Sequence, residues 1–128
     1  MTSDLELVRD FYSGDFARGD GSRVAELFTA DFLDHDPPRP EWPRGPRGVL
    51  AVMEMLSVAL PRRSIAVHDL FGSGDRVAIR FSIEGIQAGP FMGQPGAGAP
   101  LALDVIAILR LEQHRIAERW GHVRVRGR

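Results

Sequence analysis

The sequence predicts a single α+β domain spanning residues 1–128, with helices first and a largely antiparallel sheet after them. Three observations lead there. Apolar residues recur at helical spacing through the first half of the chain. The period switches to two after Pro61, where apolar and polar residues alternate. A length of 128 residues with 44% hydrophobic content supports one sizeable core and leaves no room for a second.

The first helix is marked by Leu5, Val8, Phe11, Tyr12 and Phe16, with Ser3 or Asp4 as N-cap and Gly19 closing the segment. A shorter helix follows Asp20-Gly21-Ser22 and sets Val24, Ala25, Leu27 and Phe28 on one face. Five prolines between Asp31 and Pro46 make that stretch extended or looped. Helical spacing returns at Val49, Leu50, Val52, Met53, Leu56 and Leu60, and Pro61 ends it. Ile65–Leu70 reads as a strand and Gly72-Ser73-Gly74-Asp75 as a tight turn. In the next strand Val77, Ile79, Phe81 and Ile83 alternate with Ala78, Arg80, Ser82 and Glu84. Pro90–Pro100 is a Gly/Pro-rich loop. Leu101–Leu111 is a long apolar strand, Glu112-Gln113-His114-Arg115 a turn, and Ile116–Val125 the last strand. The four strands form an antiparallel meander, and no repeat or linker interrupts the chain.

Composition excludes several function classes. Seventeen acidic residues against sixteen basic ones offer no electrostatic footprint for nucleic acid or an anionic membrane. All basic residues are arginine, which rules out a Schiff-base lysine. The absence of cysteine rules out disulfides, thiolate nucleophiles and cysteine-ligated metals. Four histidines without HxH or HExxH spacing predict no metal site. The glycines of Gly89–Gly98 do not join a strand to a helix, so they make no phosphate loop. The N-terminus has no signal-peptide pattern and no apolar run reaches membrane-spanning length, so a cytoplasmic protein is expected.

Both faces of the sheet carry apolar residues. Leu103, Val105, Ala107, Leu109 and Leu111 share one face of their strand, yet Ile106 and Ile108 on the other are apolar too, as are Ile116 and Trp120 in the last strand. Helices can cover only one side of a sheet. A homodimer packed through the back of the sheet is therefore expected.

Several segments in order resemble one family. Ala30-Asp31-Phe32-Leu33-Asp34-His35-Asp36-Pro37 and the helix opening Gly45-Pro46-Arg47-Gly48-Val49 are similar to the early part of SnoaL-like polyketide cyclases, within the nuclear transport factor 2-like superfamily. Gly74–Phe81 with Glu84-Gly85 resembles their first long strand. Gly89-Pro90-Phe91-Met92-Gly93-Gln94-Pro95 resembles the hairpin loop, and Arg115–Trp120 the final strand. The resemblance implies a cone: a curved mixed or antiparallel sheet wrapped by N-terminal helices around an internal cavity. It implies a small hydrophobic ligand or substrate, acid/base chemistry such as intramolecular aldol closure of a polycyclic ketone, a place in secondary metabolism, and no cofactor. Relatives on this fold include isomerases, dehydratases, epoxide hydrolases and non-catalytic binders, so fold alone does not fix the reaction.

The resemblance also implies a departure. The family's acid on the last strand falls on Gly121 here, and its substrate-holding histidine on Ala107. The positions after the tryptophan, where many members keep an acid, hold Val123, Arg124 and Val125. Candidates for the chemistry are therefore His35, Arg119 and His122. His122 adjoins the vacant acid position, although strict alternation puts it with Trp120 on the opposite face, as an interface residue. Arg119 shares parity with Gly121 and can hold an enolate oxygen or pair with an acid, but cannot be a base. His35 enters the proline-rich loop beside Asp36, whose side chain points the other way together with Asp34. Trp42, Met53, Leu56, Phe71, Phe81, Met92, Val105, Ala107 and Gly121 are the candidate cavity lining. Asp104, Arg80 and Glu84 read as cross-strand ion pairs, and His68 and His114 as surface groups without partners. A binding module that kept the cone and lost the acid is the competing function.

Overall fold

Ser3 starts the first helix in the computed structural model, which describes residues 3–126. Its hydroxyl accepts the Glu6 N–H at 3.1 Å and the Glu6 carboxylate reaches back to the Ser3 N–H, a capping box that satisfies two otherwise orphaned donors. Helix α1 (Asp4–Asp10) runs into a π-helical turn over Phe11–Phe16, which turns Phe11, Tyr12 and Phe16 into the core. The buried carboxylate of Asp15 takes a two-pronged contact from Arg23, at 3.0 and 3.1 Å, just before α2 (Val24–Leu27). Helix α3 (Pro46–Ala59) places proline at its first turn, where no amide hydrogen is needed. Arg63 then donates to Phe16 C=O at 2.7 Å and Leu60 C=O at 3.1 Å. One cation thus closes the C-terminal ends of two helical segments, where helix dipoles favour it.

Five strands form one sheet in the order β1-β5-β4-β3-β2. They are β1 (Phe28–Asp34), β2 (Arg63–Ser73), β3 (Arg76–Ile86), β4 (Pro100–Glu112) and β5 (Arg115–Arg126). The last four make the expected antiparallel meander. The addition is β1, which pairs parallel to β5 at the sheet edge. Phe28 therefore opens a strand instead of ending α2, and Asp31–Asp34 belong to it instead of the proline-rich loop. Short α2 contributes only Val24 and Leu27 to the core, and Ala25 faces solvent.

Alternation along β3 and β4 sends Val77, Ile79, Phe81, Ile83, Leu103, Val105, Ala107 and Leu109 to the helix-covered face. There they meet an aromatic cluster in which Tyr12 lies 4.8 Å from Phe81 and Phe28 lies 5.0–5.1 Å from Phe11 and Phe32, ring centre to ring centre. A bulge in β5 changes one expectation. Leu111 pairs with Ile116 but Arg110 pairs with Glu118, so Ala117 is an extra residue. Ile116 is fully buried in the core, while Trp120 and His122 go to the outer face opposite Ile108 and Ile106.

The hairpin joining β4 to β5 has both Gln113 and His114 at positive φ (47° and 63°), the twist a two-residue connection requires. His114 is not partnerless, because its Nδ1 lies 2.9 Å from the Asp4 carboxylate and ties the hairpin to α1. Among the described residues, no helix is long and apolar enough to cross a membrane.

Candidate functional site

Between the inner face of the sheet and α3 lies a cavity of about 900 Å³, open at one end. Tyr12 and Phe16 of the first helical segment border it, with Val49, Val52 and Leu56 of α3 on one side and Phe81, Ile83, Leu103 and Val105 of the sheet on the other. Trp42 and Met92, from the loops, also line it. Of the nine lining residues expected from sequence, Trp42, Leu56, Phe81, Met92, Val105 and Gly121 are on its surface. Met53 and Ala107 are packed inside the core instead, and Phe71 is 63% exposed on edge strand β2, away from the cavity.

Arg119, Asp34 and Asp36 line the cavity where β5 meets β1. Arg119 and Asp34 are register partners in the parallel pair, so both side chains enter the cavity from neighbouring strands. Nη1 of Arg119 donates to Asp34 Oδ1 at 3.0 Å and to the Asp36 carbonyl at 3.3 Å. Burial opposes the Arg119 charge, but Tyr12 in its ionised form and the Asp34 carboxylate outweigh it and raise the guanidinium above its ordinary pKa. Burial likewise raises the Tyr12 phenol, more than the adjacent guanidinium lowers it. At neutral pH this part of the cavity presents a fixed cation and a protonated hydroxyl.

Gly121 lies against the Arg119 guanidinium. A β-carbon there would overlap the Arg119 guanidinium, which lies across the space that a side chain at 121 would fill. The cation and any larger residue at 121 compete for one volume. The Gly121 N–H is met by the Asp36 carboxylate, whose Oδ2 accepts at 2.9 Å. The Asp36 N–H in turn donates to Asp34 Oδ1 at 2.9 Å.

His35 turns the other way. Its Nε2 lies 2.7 Å from Glu118 Oε2 on the outer face, and its ring stacks on Trp120 with centres 4.8 Å apart and planes 6° from parallel. The His35 and Arg110 contacts hold the Glu118 carboxyl below the usual carboxylate range. His122 pairs with Ile106 across the strands and also borders the cavity. Of the three candidate catalytic residues, Arg119 and His122 border the cavity and His35 does not. The fold adds Tyr12, Asp34 and Asp36, which sequence reasoning did not single out as site residues. The available signal was parity: Asp34 and Asp36 sit two apart on an extended chain, on one side.

Outer-face polar groups are also paired. Asp104 accepts from Arg124 and Arg126 at 3.0 Å and from the Ser82 hydroxyl at 2.8 Å, and Arg80 pairs with Asp69 and Glu84 with Arg126. His68 is partnered after all, its Nε2 lying 2.8 Å from Ser82 Oγ. The hydroxyl sits between imidazole and carboxylate, so the order is not that of a nucleophile activated by an oriented base.

The model of the family described as SnoaL-like polyketide cyclase matches residues 6–124. Among solved structures, the chain is similar to TsrD from Streptomyces laurentii, with a TM-score of 0.83, 22% identity, and coverage of 94% of this chain and 87% of that one. It is similar to IdmH, a proposed polyketide cyclase from Streptomyces antibioticus, with a TM-score of 0.77, 26% identity, and coverage of 95% and 92%. AclR, a proposed hydroxylase from Streptomyces galilaeus, superimposes with a TM-score of 0.76 at 21% identity, over 97% of this chain and 82% of that one. No curated protein matches the chain in sequence.

Proposed function

The chain belongs to the SnoaL-like polyketide cyclase family, and from that premise we propose that it is an acid/base enzyme acting on a polycyclic or ketone-bearing small molecule held in its apolar pocket. One observation carries the reading: Arg119, Asp34 and Tyr12 lie together on a cavity lined mainly by apolar side chains. When a proton leaves the carbon beside a ketone, negative charge collects on the carbonyl oxygen. A guanidinium and a phenol hydroxyl, already oriented in a site of low dielectric, stabilise that charge without reorganising, and one such donor is worth on the order of 10²-fold in rate. Asp34 fixes the direction of the guanidinium. Ring closure and isomerisation share this first step and need no cofactor.

A second reading, a binding module, is favoured by Gly121 and Ala107, which leave both family positions without a functional group. Deuterium exchange separates the two. The protein is mixed with 2-tetralone in D2O and loss of the α-proton signals is followed by NMR. The enzyme reading expects exchange above the buffer rate, reduced at least tenfold in Arg119→Met and Tyr12→Phe. Binding of 2-tetralone without faster exchange would refute it.

We also propose a homodimer through the outer face, where Ile106 and Ile108 remain 55% and 44% exposed beside Trp120. Light scattering at micromolar concentration expects twice the monomer mass, reverting to the monomer in Ile108→Glu; a wild-type monomer would refute it.

A further inference from the structure

We propose that Asp36 is the catalytic base of this pocket, a carboxylate supplied by the segment after β1 to the place where the family's last-strand acid is missing. The proposal deepens the acid/base reading above and rests on it. Its starting point is the way β1 leaves the sheet. The His35 N–H donates to the Arg119 carbonyl at 2.9 Å, and β1 then peels away toward Pro37. The next inward donor on β5 is the Gly121 N–H, and it is met by a side chain, Asp36 Oδ2 at 2.9 Å. The carboxylate therefore rests against the backbone of the residue whose own side chain is absent.

Three contacts fix it there. Besides the Gly121 N–H, the Asp36 N–H is held by Asp34 Oδ1 at 2.9 Å, and the Asp36 carbonyl accepts from Arg119 Nη1 at 3.3 Å. Oδ1 of Asp36 has no protein partner among the described residues, and the residue lies on the cavity surface. The pocket thus offers a carboxylate oxygen with a free lone pair, on the residue whose carbonyl touches the cation that would hold an enolate. A base and an oxyanion donor lining one cavity is the arrangement that proton abstraction beside a carbonyl requires.

The step balances without a co-reactant. Asp36 Oδ1 takes the proton from the α-carbon. The C–H bonding pair becomes the enolate double bond, and the carbonyl π pair moves to oxygen, where Arg119 and the Tyr12 hydroxyl receive it. In ring closure the enolate carbon attacks a second carbonyl of the same molecule, and the new alkoxide takes the proton back from Asp36. In isomerisation the proton returns to a different carbon.

A purely structural role, in which Asp36 only satisfies the Gly121 N–H, makes different predictions. Asp36→Asn keeps an oxygen for that N–H but has no basic lone pair; Asp36→Ala removes both. With 2-tetralone in D2O, both variants are expected to lose about 10²-fold or more of the exchange rate, the usual scale for a general base. Added acetate should restore exchange to Asp36→Ala and leave Arg119→Met unchanged. Wild-type exchange in Asp36→Asn, with Arg119→Met still impaired, would overturn the assignment of the base and leave the acid/base reading standing. Failure of the wild-type protein to accelerate exchange would overturn that reading and this proposal together.

Discussion

Removing Asp34 tests how the site holds its cation. In wild type the Arg119 and Asp34 side chains are 17% and 19% exposed, so each has lost most of its hydration and depends on the other. Asp34→Ala leaves a guanidinium facing Tyr12 and the Asp36 carbonyl with no carboxylate in salt-bridge contact. Breaking a fully buried pair from one side costs about 3–5 kcal/mol. The remaining solvent contact and the two surviving neighbours bring the expected cost to about 2–3 kcal/mol. With an unfolding entropy of about 2.1 cal/mol/K per residue over 128 residues, the melting temperature should fall by roughly 7–11 °C. The diagnostic is the double variant Asp34→Ala/Arg119→Met, which removes both charges and places an apolar chain in an apolar cavity. It should be more stable than Asp34→Ala alone and lie within about 1 kcal/mol of wild type. Urea denaturation monitored by circular dichroism measures all three. An Asp34→Ala variant within about 0.5 kcal/mol of wild type, or a double variant no better than the single, would refute the claim that the cation depends on its partner.

Further outcomes follow from the same geometry. Gly121→Ala puts a β-carbon into the guanidinium's space. It should cost about 1–2 kcal/mol through displacement of Arg119, whereas the same change in an Arg119→Met background should cost little, by chemical denaturation. Asp104 is held well below the usual carboxylate range, first by Arg126, then Arg124 and Ser82. A depressed carboxylate contributes stability that is present above its unfolded pKa of about 4 and lost as pH falls through the folded value. Asp104→Asn should therefore be less stable than wild type at pH 7, with the difference shrinking below pH 4 in thermal melts. Trp42 borders the cavity and Trp120 lies on the outer face against His35. Ligand-induced fluorescence change should vanish in Trp42→Phe and persist in Trp120→Phe.

Elements whose residues share one local environment were legible from sequence. The helix over Leu5–Phe16, the helix from Pro46 and the four antiparallel strands each repeat one burial rule over many residues, and Ser3, Pro61 and Gly74 punctuate them. Family resemblance reached the same fold. The strand Phe28–Asp34 was not legible. Its partner β5 lies some ninety residues further on, and a parallel edge strand leaves no local turn signal. The outward turn of His35 and the inward turn of Asp34 and Asp36 follow from that pairing.

Residue order and composition are enough to read the chain as α+β, without the residues for thiol or Schiff-base chemistry and with no side chain at position 121. What fills the space beside Gly121 depends on how distant strands pair. Parity along a strand can say that Arg119 and Gly121 share a face, but not that β1 lies beside them. That long-range pairing brings Asp34 and Asp36 against β5, lets the Arg119 guanidinium fold over Gly121, and sets a carboxylate against its N–H. Local pattern records which way a side chain points; contact between strands distant in the chain decides what it meets.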